Sequence, residues 1–245
     1  MQGKWNFYAC LIEDMPASIL LDLSLIGAAP LHGFDRLGYL RLYMNAPRPD
    51  GLSSNDEFDR LVALEDQLLA QLEPDSRLRY VGRDTANGAR TYYFYLAESM
   101  PFEDRAAQAM AAHPEYAFDA GEQDDPDWRV YRDFLYPRPQ DLQAIRNRDV
   151  LQALRGHDDH LELPRQIDHW AYFPDVASAQ AFAMWVEGEG FHLSPPPPGS
   201  DSSFGVRFDR IDQPDAIDSI NLPLVEKAKA LGGDYDGWEC QVIRP

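Results

Sequence analysis

The segment Gly232-Gly233-Asp234-Tyr235-Asp236-Gly237-Trp238-Glu239 is the stretch from which the architecture of the C-terminal half can be worked out. It follows residues 222–231, which have helical spacing, and it leads into a strand-like ending at 238–243. Paired glycines after a helix favour a helix stop, because glycine adopts positive φ at little cost. The two aspartates are typical of turns, where carboxylates accept backbone hydrogen bonds. The block therefore predicts a corner of helix, turn and strand.

Outward from this corner, the C-terminal half alternates between strand-like and helical patterns. A helix is expected at 141–155, ahead of the rest. The elements that follow are strands at 166–173, 190–193, 204–209 and 238–243 and helices at 176–187 and 215–231. This order is that of a split βαβ unit. The proline run at 195–198 predicts a stiff loop or, alternatively, a polyproline ligand.

The N-terminal half repeats the same order without any residue-level repeat. Strands are expected at 38–44, 77–82, 90–96 and 116–120 and helices at 55–72 and 102–113, with an Asn87-Gly88 hairpin. Two earlier strands, 5–12 and 18–26, are expected to cover a face rich in tyrosines. The fold class is therefore predicted as α+β, with two ferredoxin-like sandwiches in tandem, each an antiparallel sheet with helices on one face. The expected domains are 1–136 and 140–245, joined by a proline linker at 137–139.

The charge of the chain is strongly negative. Asp and Glu total 41 and Lys and Arg total 22, for a net charge of −19, of which residues 140–245 carry −9. Such a chain repels phosphate backbones and attracts basic partners, so we expect no direct nucleic-acid binding. A purely solubilising surface is the alternative. Cys10 and Cys240 predict reduced thiols, and the absence of a signal peptide or membrane span predicts a cytoplasmic protein.

Motifs of enzymes and metal sites are missing from the chain. The segment His157-Asp158-Asp159-His160 has ligand types but no second cluster at a known spacing. We therefore expect no catalytic residue, no metal and no cofactor, and a non-enzymatic role.

Two stretches, Arg165-Gln166-Ile167-Asp168-His169-Trp170-Ala171-Tyr172-Phe173 and 232–238, resemble the regulator of RNase E activity B (RraB) family. The N-terminal half resembles the domain of unknown function family 695. Its cues are an early Trp-x-Phe strand, Asp50-Gly51-Leu52, Tyr80-Val81-Gly82 and Gly88-x-Arg90-x-Tyr92-Tyr93-Phe94-Tyr95. The first resemblance implies a non-catalytic protein that binds the endoribonuclease RNase E and lowers its activity. Stand-alone members of that family lack the N-terminal domain.

The resemblance and the strand pattern together suggest a contact surface. If the even face of 166–173 points away from the helices, Trp170 and Tyr172 lie on an open sheet face. The candidate protein-contact residues are Trp170, Tyr172, Asp234, Tyr235, Asp236, Trp238 and Glu239. Tyr235 and Trp238 are expected either in the core or at the edge of this surface.

The expected partner is a basic protein segment, such as one of an RNase E type endoribonuclease. Three alternatives stay open. The N-terminal domain or the helix that precedes the strand covers the face, or two copies pair through it as a homodimer. In the third, the N-terminal domain or the domain junction binds a small molecule or has enzymatic activity. A flat acidic face favours the adaptor, whereas a deep pocket with convergent polar groups favours a small-molecule site.

Overall fold

The computed structural model describes residues 3–97, 100–195 and 204–244. The chain divides into two compact units, 1–137 and 138–245. Each unit contains one antiparallel sheet with helices, which confirms the α+β class. No helix in the described ranges is long and apolar enough to cross a membrane. Most of the proline run lies outside the described residues, so the expectation for that loop is not addressed.

The N-terminal unit is built on a six-stranded sheet. Its strands are β1 Trp5–Ile12, β2 Met15–Asp22, β3 Arg36–Tyr43, β4 Leu78–Ala86, β5 Ala89–Leu96 and β6 Phe118–Asp124. They lie in the order β1-β2-β4-β5-β3-β6, and all neighbours are antiparallel. Its helices are α1 Asn55–Leu72 and α2 Phe102–Met110.

The two helices cover one face of this sheet. Helix α1 buries Leu61, Leu64, Leu68 and Leu72, whose spacing of three or four residues places them on one side of the helix. They pack with α2 and with the inward side chains of the strands in a single hydrophobic core.

The opposite face of the sheet is covered by a different segment from residues 5–26, which were expected to cover it. Strands β1 and β2 form a hairpin that pairs with the edge of β4, so they extend the sheet instead of covering its tyrosines. Residues 125–136, which include a π-helical turn at Val130–Leu135, lie on that face. The expectation that 5–26 cover the tyrosines was therefore wrong, because a hairpin with a free edge satisfies its backbone by pairing.

The C-terminal unit has a four-stranded sheet. Its elements are α3 Pro139–Arg155, β7 Arg165–Tyr172, α4 Val176–Gly188, β8 His192–Ser194, β9 Gly205–Asp212, α5 Ile217–Ala230 and β10 Asp234–Cys240. The strand order is β10-β7-β9-β8, again antiparallel throughout. Pro139 is the first residue of α3, where a missing N–H costs nothing, so the expected proline linker ends inside the helix.

Strand β10 contains most of the segment 232–239. The expected turn at 232–237 was wrong after Gly233, because β10 begins at Asp234 and ends at Cys240. A bulge between Tyr235 and Gly237 inserts one residue into the pairing with β7. The helices α3, α4 and α5 pack on one face of this sheet.

Candidate functional site

Strand β7 separates the two faces of the C-terminal sheet by simple alternation. Ile167, His169 and Ala171 are fully buried beneath the helices. Trp170 and Tyr172 point the other way, and Tyr172 is 38% exposed. The strand period therefore predicted the position of these two candidates.

The neighbouring strands extend this second face. Residues opposite each other in an antiparallel pair share a face, so the register of β7 with β9 and β10 identifies its members. We call this surface the open face; its aromatic and charged members are Asp168, Trp170, Tyr172, Arg207, Asp209, Asp234 and Glu239, and Gln166 and the exposed Ile211 lie on it as well. Two concave pockets border it: Tyr172 and Asp234 line one of about 380 Å³, and Asp168 and Glu239 line another of about 370 Å³.

The charges on the open face are mostly negative and only partly neutralised. Arg207 is the one basic side chain in the set, and its Nη2 lies 3.2 Å from Asp168 Oδ1. The Arg207 guanidinium carbon is also 5.6 Å from the Trp170 ring centroid, which is a cation–π distance. Within the described ranges, Glu239 has no ion pair. Glu239 is exposed and lies opposite Asp168, so its carboxylate is available to a cation from another molecule.

The bulge in β10 changes which residues of the block are exposed. Gly237 lies opposite Trp170 with a φ of 142°, a conformation that side-chain-bearing residues rarely adopt. Asp236 occupies the extra position and is exposed. Because of this extra residue, Tyr235 and Trp238 lie on the same face although they are three apart.

That shared face is the helix side, so Tyr235 and Trp238 are core residues. They are 6% and 8% exposed, and they pack in the two clusters formed with the helices. Tyr235 and Trp238 therefore lie in the core and not at the edge of the open face. The reason is that the bulge reverses the alternation of inward and outward side chains after Tyr235. Asp234, Asp236 and Glu239 are exposed, and Asp234 lies 3.2 Å from Lys229 Nζ.

Trp238 is held by a buried polar network that the sequence analysis did not predict. Its Nε1 donates to Asn147 Oδ1 at 2.9 Å. The same oxygen accepts from Gln143 Nε2 at 2.9 Å and Asn221 Nδ2 at 2.8 Å. Asn147 Nδ2 in turn donates to Asp218 Oδ1 and Asn221 Oδ1. The sequence does contain one signal of this network: Gln143 and Asn147 are spaced i and i+4 on the otherwise apolar side of α3.

The polar cluster at 157–160 has a structural partner. Asp159 accepts hydrogen bonds from Arg165 Nη1 at 2.7 and 2.9 Å and from the backbone N–H of Ile243 at 2.9 Å. Arg165 also donates to the backbone carbonyls of His160 and Gln241. Among the described residues, no group of three or more His, Cys, Asp or Glu side chains could hold a metal ion.

His169 lies directly behind Trp170, on the buried side of β7. Its Nδ1 is 2.7 Å from the Tyr235 hydroxyl oxygen, and its ring stacks on Phe208 at 5.3 Å. Its Nε2 is buried without a hydrogen-bond partner in the described ranges. Burial, with a smaller contribution from the positive charge of Arg210, lowers the pKa of His169 to about 3. The ring is therefore neutral in the folded protein at neutral pH.

The lowered pKa of His169 predicts that the stability of the folded protein depends on pH. Its ordinary pKa is 6.5, so between pH 6.5 and about 3 the unfolded chain binds a proton on this ring that the folded chain does not. The free energy of unfolding should fall as the pH falls through this window, by at most about 1.4 kcal/mol per pH unit from this group. The variant His169→Phe should be less dependent on pH there, as measured by urea unfolding at pH 7, 6, 5 and 4. Parallel curves for the two proteins would contradict the assignment.

Two family models match this chain. The model of a family of unknown function, DUF695, matches residues 3–136, more than half of the chain. The chain belongs to DUF695. A second family model, regulator of ribonuclease activity B, matches residues 144–240. Both matches agree with the resemblances seen in the sequence.

Other comparisons with this DUF695 protein add little. No curated protein matches it. A crystal structure of an unknown protein from Galdieria sulphuraria is similar at 11% identity, covering 85% of this chain and 99% of that one, with a TM-score of 0.23. A likeness at that level supports no conclusion about fold or function. The second match is more useful, because residues 144–240 include every member of the open face.

Proposed function

We propose that this DUF695 protein is a non-catalytic regulator that binds a basic protein segment through the open face of its C-terminal sheet. The observation that carries the proposal is the position of the exposed Tyr172 and the half-buried Trp170 among carboxylates with few positive partners. Exposed aromatic side chains on a sheet usually contact a partner, and they supply most of the binding energy at protein interfaces.

The partner we propose is an Arg- and Lys-rich segment of a ribonuclease, of the RNase E type. The match to a regulator of ribonuclease activity over 144–240 supports this choice of enzyme. The net charge of −19 supports a basic partner, because opposite charges speed the encounter of two proteins. The same charge disfavours RNA itself as the ligand. We place this interaction in the cytoplasm.

Salt and a single aromatic substitution test the proposal. Binding of a fluorescent Arg- and Lys-rich RNase E segment should weaken about tenfold or more between 50 and 500 mM salt, because exposed charge pairs are screened. Trp170→Ala should weaken binding by a further factor of about ten, since it removes the central aromatic contact. Fluorescence anisotropy gives both values, and cleavage of a model RNA by the nuclease reports inhibition. Met184→Ala is the control, because Met184 is exposed on α4, behind the sheet.

A matched pair of charge reversals separates local from overall electrostatics. Glu239→Lys on the open face should weaken binding about tenfold. Glu187→Lys, which changes the net charge equally but lies on α4, should have a much smaller effect. Equal effects of the two variants, or no binding at micromolar concentration, would reject the open face as the site. If the protein instead sediments as a dimer that Trp170→Ala dissociates, the face pairs with a second copy.

We also propose that both units have ferredoxin-like topology. In each, a strand, helix, strand, strand, helix and strand follow one another, and the strand orders β6-β3-β5-β4 and β10-β7-β9-β8 support this assignment. In the N-terminal unit the hairpin of β1 and β2 is then an addition to the edge of β4.

A further inference from the structure

The outer face of the N-terminal sheet contains a groove with a volume of about 540 Å³. It lies between β3, β5 and β6 and the π-helical turn Val130–Leu135. We call it the tyrosine groove; the side chains that define it are Tyr39, Arg41, Tyr43, Tyr93, Asp119 and Phe134. Sites for small molecules commonly measure ~300–1,000 Å³. The groove is therefore large enough for a ligand with one or two rings.

The strand register places side chains next to each other in rows that run across the strands, and one such row of the groove is aromatic. Tyr39 pairs with Tyr93 on β5 and with Gly121 on β6. A Cβ at Gly121 would lie 2.7 Å from the Tyr39 hydroxyl oxygen, so the glycine makes room for the tyrosine to lie across β6. Phe134 meets Tyr93 edge to face, with ring centroids 6.1 Å apart. Rings from the sheet and from the covering segment thus form opposite walls.

The next row carries charge, and Arg41 lies at its centre. Arg41 pairs with Asp119 on β6 and with Thr91 on β5, and Thr91 pairs with Asp84 on β4. Both carboxylates are already engaged by tyrosine hydroxyls, since Tyr43 donates to Asp119 at 2.5 Å and Tyr93 donates to Asp84 at 2.7 Å. Among the described residues, neither acid forms an ion pair with Arg41.

The guanidinium of Arg41 is consequently available. It is exposed, and within the described ranges it has no ion pair. Its central carbon lies 5.8 Å from the centroid of the Tyr43 ring. A positive group left unpaired in a protein of net charge −19 points to a ligand that supplies an anion.

We propose that the tyrosine groove binds a small aromatic carboxylate, with its carboxylate on Arg41 and its ring among Tyr39, Tyr93 and Phe134. The planar guanidinium matches a carboxylate with two parallel hydrogen bonds. Aromatic walls suit a flat ring, which packs against them edge to face or offset-stacked. A single negative charge is favoured over a polyphosphate, because Asp119 lies in the same row and repels additional charge. This site is independent of the ribonuclease proposal, since it lies in the other unit.

Three probes that share a naphthalene ring and carry a negative charge, no charge or a positive charge test the proposal. They are 2-naphthoate, neutral 2-naphthamide and cationic 2-naphthylmethylammonium, each titrated by calorimetry into the full chain. For a ligand of this size we expect 2-naphthoate to bind with a Kd of about 0.1–1 mM. The amide and the ammonium should bind at least about ten times more weakly, because neither has a carboxylate that can form an ion pair with Arg41.

Three variants locate the binding. Arg41→Gln should weaken 2-naphthoate about tenfold and leave 2-naphthamide unchanged, which a general loss of structure would not do. Tyr39→Leu should weaken both of these probes, since it removes a wall of the groove. Arg60→Gln is the control, because Arg60 is exposed on α1, at the opposite face of the sheet, and it should change neither. Thermal unfolding curves that match the parent establish that each variant is folded.

Several results would overturn the proposal. These are equal affinity for the three probes, tightest binding of the ammonium, an unchanged affinity of Arg41→Gln for 2-naphthoate, and no binding of any probe up to about 5 mM.

Discussion

Replacing Asn147 by leucine is expected to destabilise the C-terminal unit by about 3–5 kcal/mol. The side chain of Asn147 is fully buried, and its carbonyl oxygen accepts from Gln143, Asn221 and Trp238. Leucine has a similar shape but cannot accept a hydrogen bond, so three buried donors lose a partner at once. Each unsatisfied buried group costs about 1–3 kcal/mol, and some of them can find another partner. Urea unfolding followed by hydrogen exchange in α3 and β10 measures the loss.

A surface position on the same helix supplies the control. Gln152→Leu makes a similar polar-to-apolar change at an exposed site of α3, and we expect it to alter stability by no more than about 0.5 kcal/mol. A loss below about 1 kcal/mol for Asn147→Leu would mean that the network is not what holds Trp238 and α3 together. The result bears on function, because Trp238 lies in the strand that forms one edge of the open face.

Replacing Trp128 by alanine is expected to destabilise the N-terminal unit by about 3–5 kcal/mol. Trp128 is fully buried and stacks on Tyr95, with ring centroids 3.8 Å apart and ring planes inclined by 8°. Its Nε1 donates to the backbone carbonyl of Phe34 at 2.7 Å. Alanine leaves a large cavity and an acceptor without its donor, at the start of the segment that covers the outer face of the sheet. Urea unfolding monitored by hydrogen exchange in β5 gives the value.

The matched control is the same substitution at the other tryptophan of this unit. Trp5 is 40% exposed and stacks on Tyr80 at 5.0 Å, so Trp5→Ala should cost only about 1 kcal/mol. If both variants lose the same stability, residues 125–136 do not contribute as a packed cover. Because Phe134 belongs to this segment, Trp128→Ala should also weaken 2-naphthoate binding in the tyrosine groove.

The open face illustrates how much of a candidate site strand periodicity can predict. Trp170 and Tyr172 follow from alternation along one strand, together with the rule that the helices of such a unit cover one face. Arg207 and Asp209 follow from the same rule on β9, once Val206 and Phe208 are placed inside. The pairing of Arg207 with Asp168, which reduces the negative charge near Trp170, required the register between β7 and β9.

Tyr235 and Trp238 show where periodicity is insufficient. The bulge at Asp236 adds one residue, and no local pattern in the block indicates it. The inserted residue reverses the strand phase, so alternation assigns the two aromatic side chains to opposite faces. Their burial under the helices could be seen only when β10 was paired with β7. The same holds for Asn147, whose partners Asn221 and Trp238 lie more than 70 positions away along the chain.

By itself the sequence determined the α+β class, the helix and strand order of both units, the negative charge and the families to which the two halves are related. These properties depend on composition and on periods of two and 3.6 residues, which are local. Only the tertiary structure decided that the first hairpin extends the sheet, that residues 125–136 cover its outer face, and that Arg41 is left without an acid. Each of these outcomes is a competition among partners distant in sequence for the same hydrogen bond or surface, and such a competition is settled only when the strands are in register.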